Sequence, residues 1–140
     1  MKNESARITP LTADHAIKEW DTISSLLEKV MPRTCGRFSL DDVKDSVARG
    51  KALVLLVWDP EEKVVFAAII AEAEIYPSKR VFSLNMCGGD DIEQWGHLFP
   101  VIEYIAKKLG YDQIDILGRP GWKKFLPGTT SVLTQFTKEL

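Results

Sequence analysis

The sequence predicts an α/β protein with a mixed, mainly antiparallel central sheet and helices on both faces. Three observations carry that prediction. "ALVLLVW", "VVFAAIIAEAEIY" and "RVFSLNM" are β-rich runs joined by the short polar turns "DPEEK" and "PSK", a three-strand meander. "IEQWGHLFPVIEYIAKKLG" places apolar residues at three- and four-residue steps. A further strand pattern, "DQIDILG", follows that helix at once, so the helix forms a crossover between strands.

The elements follow in order. "ARITPLT" (6–12) alternates apolar and polar residues and reads as a first strand. Residues 13–31 carry Ile17, Trp20, Ile23, Leu26, Leu27 and Val30 on one helical face, and Pro32 ends the run. Ser39 opens a short helix with acidic residues in its first turn and Gly50 just beyond its end. The meander covers 52–58, 64–76 and 80–86, with Asp59 and Pro60 building the first turn. The helix of 92–109 contains Pro100, which predicts a kink or a broken first turn. "RPGWKKFLPG" (119–128) reads as a short helix or turn, and "SVLTQFTKEL" (131–140) as a closing strand. The order is β-α-α-β-β-β-α-β-α-β.

The chain's 140 residues suit one domain, residues 1–140, with room for a real core. A net charge of −2 supplies no general field for nucleic acid, which argues against such a partner despite the basic cluster "GRPGWKK" (118–124). The longest apolar runs are too short for a membrane span, and "MKNESARITPLT" has no apolar signal core. Cys35 and Cys87 match no metal spacing and read as two free, buried thiols.

The element order resembles the GNAT acetyltransferase superfamily over nearly the whole chain, and in residue motifs over 87–128. "KKLGYDQIDILGRPGWKKFL" carries most of the likeness. In that family a strand after such a helix splays from its neighbour to admit the pantetheine arm of acetyl-CoA. More narrowly, "MCGG", a tryptophan-bearing helix and "ILGRPGW" are similar to small GNAT-like proteins of tailed bacteriophages. That resemblance implies a GNAT-like structural or assembly component of a virion. Its partners would be protein subunits, its place the host cytoplasm or the particle, with no catalytic residue, no cofactor and no metal. Arg119, Trp122 and Lys123 are then the partner-binding residues. Trp122 follows Pro120 and Gly121, and can either anchor a partner or fold back onto the last strand.

The alternative is an acyl-CoA-dependent N-acetyltransferase. Glu72 or Glu74, which share one face of their strand, would be the base. Gly88 and Gly89 would offer backbone donors, and Arg119, Lys123 or Lys124 would meet the phosphates of acetyl-CoA. Three departures from the family weigh against it. The family's turn carries Gln/Arg-x-x-Gly-x-Gly/Ala, whereas Gly88 and Gly89 are adjacent and the nearest preceding polar residue is Asn85. Asp90 and Asp91 follow, and are expected to cap the helix in place of an anion. The segment 118–128 also lacks the tyrosine that often protonates the leaving thiolate in that family. Phe82, Met86 and Trp122 are large enough to fill a splayed cleft. His97, between Trp95 and Phe99, reads as a partly exposed helix residue, His15 has no evident partner, and no Ser-x-Gly elbow supports a hydrolase.

Overall fold

The computed structural model describes residues 2–118, 120–132 and 135–140. A five-stranded sheet runs in sequence order, β1 (Arg7–Leu11), β2 (Ala52–Asp59), β3 (Val64–Ile75), β4 (Arg80–Gly89) and β5 (Gln113–Ile116). The first four strands are antiparallel, and β4 and β5 are parallel. Pro10 is tolerated within β1 because that strand lies at the sheet edge.

The helices divide between the two faces. Helices α1 (Ala13–Lys18), α2 (Trp20–Leu27) and α3 (Leu40–Ala48) cover one face, burying Ala16, Trp20, Ile23, Leu27, Val43 and Val47 on Val54, Ala68, Ile70 and Met86. The second face carries α4 (Ile92–Trp95) and α5 (Phe99–Lys108), whose Trp95, Phe99, Ile102 and Ala106 pack on Leu55, Val57, Ile69, Phe82 and Leu84. Strict alternation along β2 feeds both cores, which is why "ALVLLVW" is apolar throughout.

Several elements differ from the sequence reading. The helix of 13–31 is two helices meeting at Glu19, whose φ of −94° and ψ of 13° leave the helical range; no glycine or proline marks the break. Pro32 sits in a separate 3-10 turn, Met31–Thr34. The expected break near Pro100 is present. The 92–109 helix is split into α4, a 3-10 turn over Gly96–Leu98, and α5, with Pro100 in the first turn of α5, where its missing N–H costs nothing. The cap of α3 is as read, with Ser39 accepting from the Asp42 N–H at 3.2 Å and Asp42 accepting from the Ser39 N–H at 2.8 Å.

Among the described residues the closing strand is not formed. Residues 131, 132 and 135–140 lie in no strand, and β5 is the sheet edge among the described residues. Alternation is a local signal, while a strand also needs a partner in register. Cys35 is exposed rather than buried, in a left-handed conformation after the 3-10 turn.

Candidate functional site

The two parallel strands define the site. Val81–Leu84 pair with Gln113–Ile116, and the Leu117 N–H reaches the Leu84 carbonyl at 3.2 Å. Beyond that bond β4 runs on to Gly89 paired with β3 alone. The register against β3 slips at the same point. Ala71 faces Leu84 and Ile70 faces Met86, so Asn85 is an extra residue, a β-bulge. A wedge therefore opens beside Asn85–Gly89, as the splayed-strand resemblance leads one to expect.

The glycines do not form a turn. Gly88 and Gly89 are the last residues of β4, opposite Ala68 and Ala67. A Cβ on Gly88 would lie 2.3 Å from the Leu26 carbonyl oxygen and 2.9 Å from Leu27 Cα. Gly88 and Ala68 thus make a small pair on which the α2 backbone rests. Gly89, at φ +152°, lies against Phe66 and Ala67, where a Cβ would come within 2.2 Å of the Phe66 carbonyl oxygen. Both glycines are used for close approach of protein backbone.

Nor do the aspartates cap. Asp91 is the residue before α4, but its φ of 58° is left-handed and its side chain makes no cap hydrogen bond. Asp90 turns instead to Lys29, just past the end of α2, with Nζ to Oδ2 at 2.5 Å, while its carbonyl accepts from Trp95 Nε1 at 3.0 Å. The capping expectation fails because the chain leaves the strand through a left-handed residue, which turns the Asp91 side chain from the first-turn N–H groups.

The segment after β5 folds back on this start. Pro120–Phe125 form a 3-10 turn. Trp122 is half-buried, covers Gly118, and lies 6.2 Å ring to ring from Phe99, so it packs inward. The Phe125 ring lies on Gly96, where a Cβ would meet Cδ1 at 2.4 Å. Lys124 Nζ bonds Glu93 Oε1 at 2.6 Å, and this bond, acting against partial burial, holds the Glu93 carboxyl below its usual range. Lys123 donates to the Thr129 carbonyl and hydroxyl. Arg119 lies outside the described residues. Of the three candidates for filling the cleft, Met86 points into the α1–α3 core and Phe82 stacks on Tyr111 at 4.9 Å. The third, Trp122, packs on Gly118 and Phe99.

Glu72 and Glu74 do share a face, the one that carries α1–α3, and neither is fully exposed. The register sets Glu72 opposite Ser83, and Ser83 beside Asp115, a polar row across three strands. Ser83 Oγ donates to Asn85 Oδ1 at 2.7 Å, which ties the row to the bulge. Tyr76 donates to Glu74 Oε2 at 2.7 Å; this bond, the Glu74 charge, some burial and Asp115 together push the phenol up. The sequence reading missed Ser83 and Asp115, and named Asn85 only as the polar residue before the two glycines. Their only trace is polar residues within otherwise apolar strands. His97 Nδ1 is buried without a partner among the described residues. No group of three or more His, Cys, Asp or Glu is placed among the described residues to hold a metal ion, and no described helix is long and apolar enough to cross a membrane.

Solved acetyltransferase structures share this shape. A probable acetyltransferase aligns with a TM-score of 0.70 at 12% identity, over 96% of this chain and 97% of its own. An aminoglycoside acetyltransferase from an uncultured soil metagenomic sample, solved with trehalose, gives 0.69 at 12% identity, over 99% and 98%. A ribosomal-protein-alanine N-acetyltransferase from Brucella melitensis biovar Abortus 2308 gives 0.67 at 10% identity, over 96% and 99%. No protein-family model matches the sequence, and no curated protein matches it. The fold is that of the GNAT acetyltransferases.

Proposed function

We propose that this chain is a GNAT-fold protein whose former cofactor end has become packing, and that it works by binding another protein rather than by transferring acyl groups. The observation that carries this reading is the contact of Gly88 with the α2 backbone, which leaves no space over that glycine for a pyrophosphate. Three further observations support it. Phe125 covers Gly96, the ammonium groups of Lys123 and Lys124 are held by Thr129 and Glu93, and no tyrosine occurs in 118–128. The residues present therefore do not fit acetyl-CoA in the way the family resemblance implies. On the outer side of α5, Val101 and Tyr104 stay exposed, as do Ile75 and Tyr76 at the β3–β4 turn, which is the kind of surface a protein partner uses. The resemblance to tailed-phage proteins makes the partner a subunit of a phage particle, met in the host cytoplasm. Calorimetry at low salt with acetyl-CoA, and with CoA and ATP as controls, tests the reading. No heat of binding is expected, and specific micromolar binding of acetyl-CoA would overturn it.

One observation favours a second reading, an N-acetyltransferase. The Glu72–Ser83–Asp115 row lies on the sheet beside the bulge, and Glu74 flanks it. Carboxylates so placed suit a cationic amine, and Glu72 or Glu74 could take its proton. Arg119, Lys123 and Lys124 would then hold phosphates, which requires the two lysines to leave Thr129 and Glu93. If turnover of an amine acceptor is detected, Glu72→Gln should lower it at least tenfold. Unchanged turnover removes this reading.

A further inference from the structure

The loop between α2 and α3 forms an open groove of about 630 Å³ with Met31, Pro32, Phe38 and Leu40 as its apolar lining and Glu28 and Asp41 among its polar lining. The described end of the chain comes to its lip. Arg37 Nη2 donates to Thr137 Oγ1 at 3.2 Å, although the two residues are 100 positions apart. Phe136 and Leu140, beside that bond, are 91% and 116% exposed, and Phe38, next to Arg37, is 37% exposed. Thus one hydrogen bond brings a wet apolar groove next to a wet apolar segment, each within a residue of the bond.

We propose that residues 135–140 dock into the groove between α2 and α3 of their own chain, with Phe136 and Leu140 as the apolar anchors and Arg37–Thr137 as the latch. The occupant is the chain's own segment, because the contact at the lip is intramolecular. An extended residue advances about 3.3 Å, so Leu140 is within about 10 Å of the latch. This site is separate from the wedge beside Asn85, and the inference does not depend on what the wedge binds.

Hydrogen–deuterium exchange on the full chain tests it, comparing wild type with Phe136→Ser and Leu140→Ser. Both side chains are exposed in the structure, so neither change should disturb the core, and exchange in β3 serves as the control. Docking predicts that amides of residues 31–40 exchange about tenfold faster in each variant, the factor that burial of one large apolar side chain supplies. The wild-type protection should be independent of protein concentration. Equal exchange in all three proteins would overturn the proposal. So would protection that grows with concentration, which would put the segment of a second copy in the groove.

Discussion

Gly88 lies directly beneath the carbonyl of Leu26, so close that a single added methyl carbon would stand 2.3 Å from its oxygen. The contact is backbone to backbone, and neither side has a flexible group that can yield. Gly88→Ala is therefore expected to destabilise the fold by about 1–3 kcal/mol or more, the cost of overpacking. Urea denaturation read by tryptophan fluorescence checks this. A ligand-binding glycine in an open loop would accept alanine with little change in midpoint, so an unchanged midpoint would revive the cofactor reading.

Gly96 and Phe125 form a second contact of the same kind, but one partner is a side chain that can be removed. Gly96→Ala alone is expected to destabilise, since Phe125 must leave its seat. Adding Phe125→Ala removes the clash, so the double variant should be more stable than the sum of the two single changes predicts, by about 0.5–3 kcal/mol of coupling. Additive effects would mean that the ring does not rest on Gly96 in solution.

How much of this was legible in the sequence depended on whether the signal was local. The meander was legible because β-rich runs and an Asp-Pro turn both act over a few residues, and the Ser39 cap of α3 was legible for the same reason. "CGGDD" was misleading because glycine serves both turns and close backbone packing, and only the position of Leu26, 62 residues earlier, separates the two. The capping expectation for Asp91 failed on one dihedral angle, which composition does not specify. The bulge at Asn85 and the row Glu72–Ser83–Asp115 depend on register across three strands, so no single stretch of sequence displays them.

The two thiols should behave differently. Cys87 faces the α4–α5 core, and burial pushes its thiol up to about 12, whereas Cys35 is exposed. The thiolate is the reactive form. At about pH 8 a thiol-specific chromogenic reagent should titrate one thiol promptly in the folded protein and both in denaturant. Cys35→Ser should abolish the fast phase and leave the slow one. Two fast thiols in the folded wild type would mean that the Cys87 environment is open to solvent.

Asp59 gives the protein an acid-sensitive joint. The residue is fully buried at the end of β2, which alone would raise its carboxyl. The hydrogen bond from Asn3 Nδ2 at 2.8 Å, with those from the Glu61 and Glu62 N–H groups at 2.8 and 3.2 Å, outweighs that cost, and the group titrates below its ordinary 3.8. These bonds join the N-terminal segment to the β2–β3 turn, where Lys63 takes a left-handed φ of 55°. A depressed folded value means that the unfolded chain binds the proton more readily. The contribution of Asp59 is therefore complete above 3.8 and is lost as the pH falls through the lower folded value. Thermal melts between about pH 2 and about pH 7 should show a steep acid limb in wild type. Asp59→Asn should melt at a lower temperature at neutral pH, since its amide cannot accept all three bonds, and its acid limb should be shallower. If the two limbs have equal slope, the acid sensitivity resides in other carboxylates and Asp59 is not the joint.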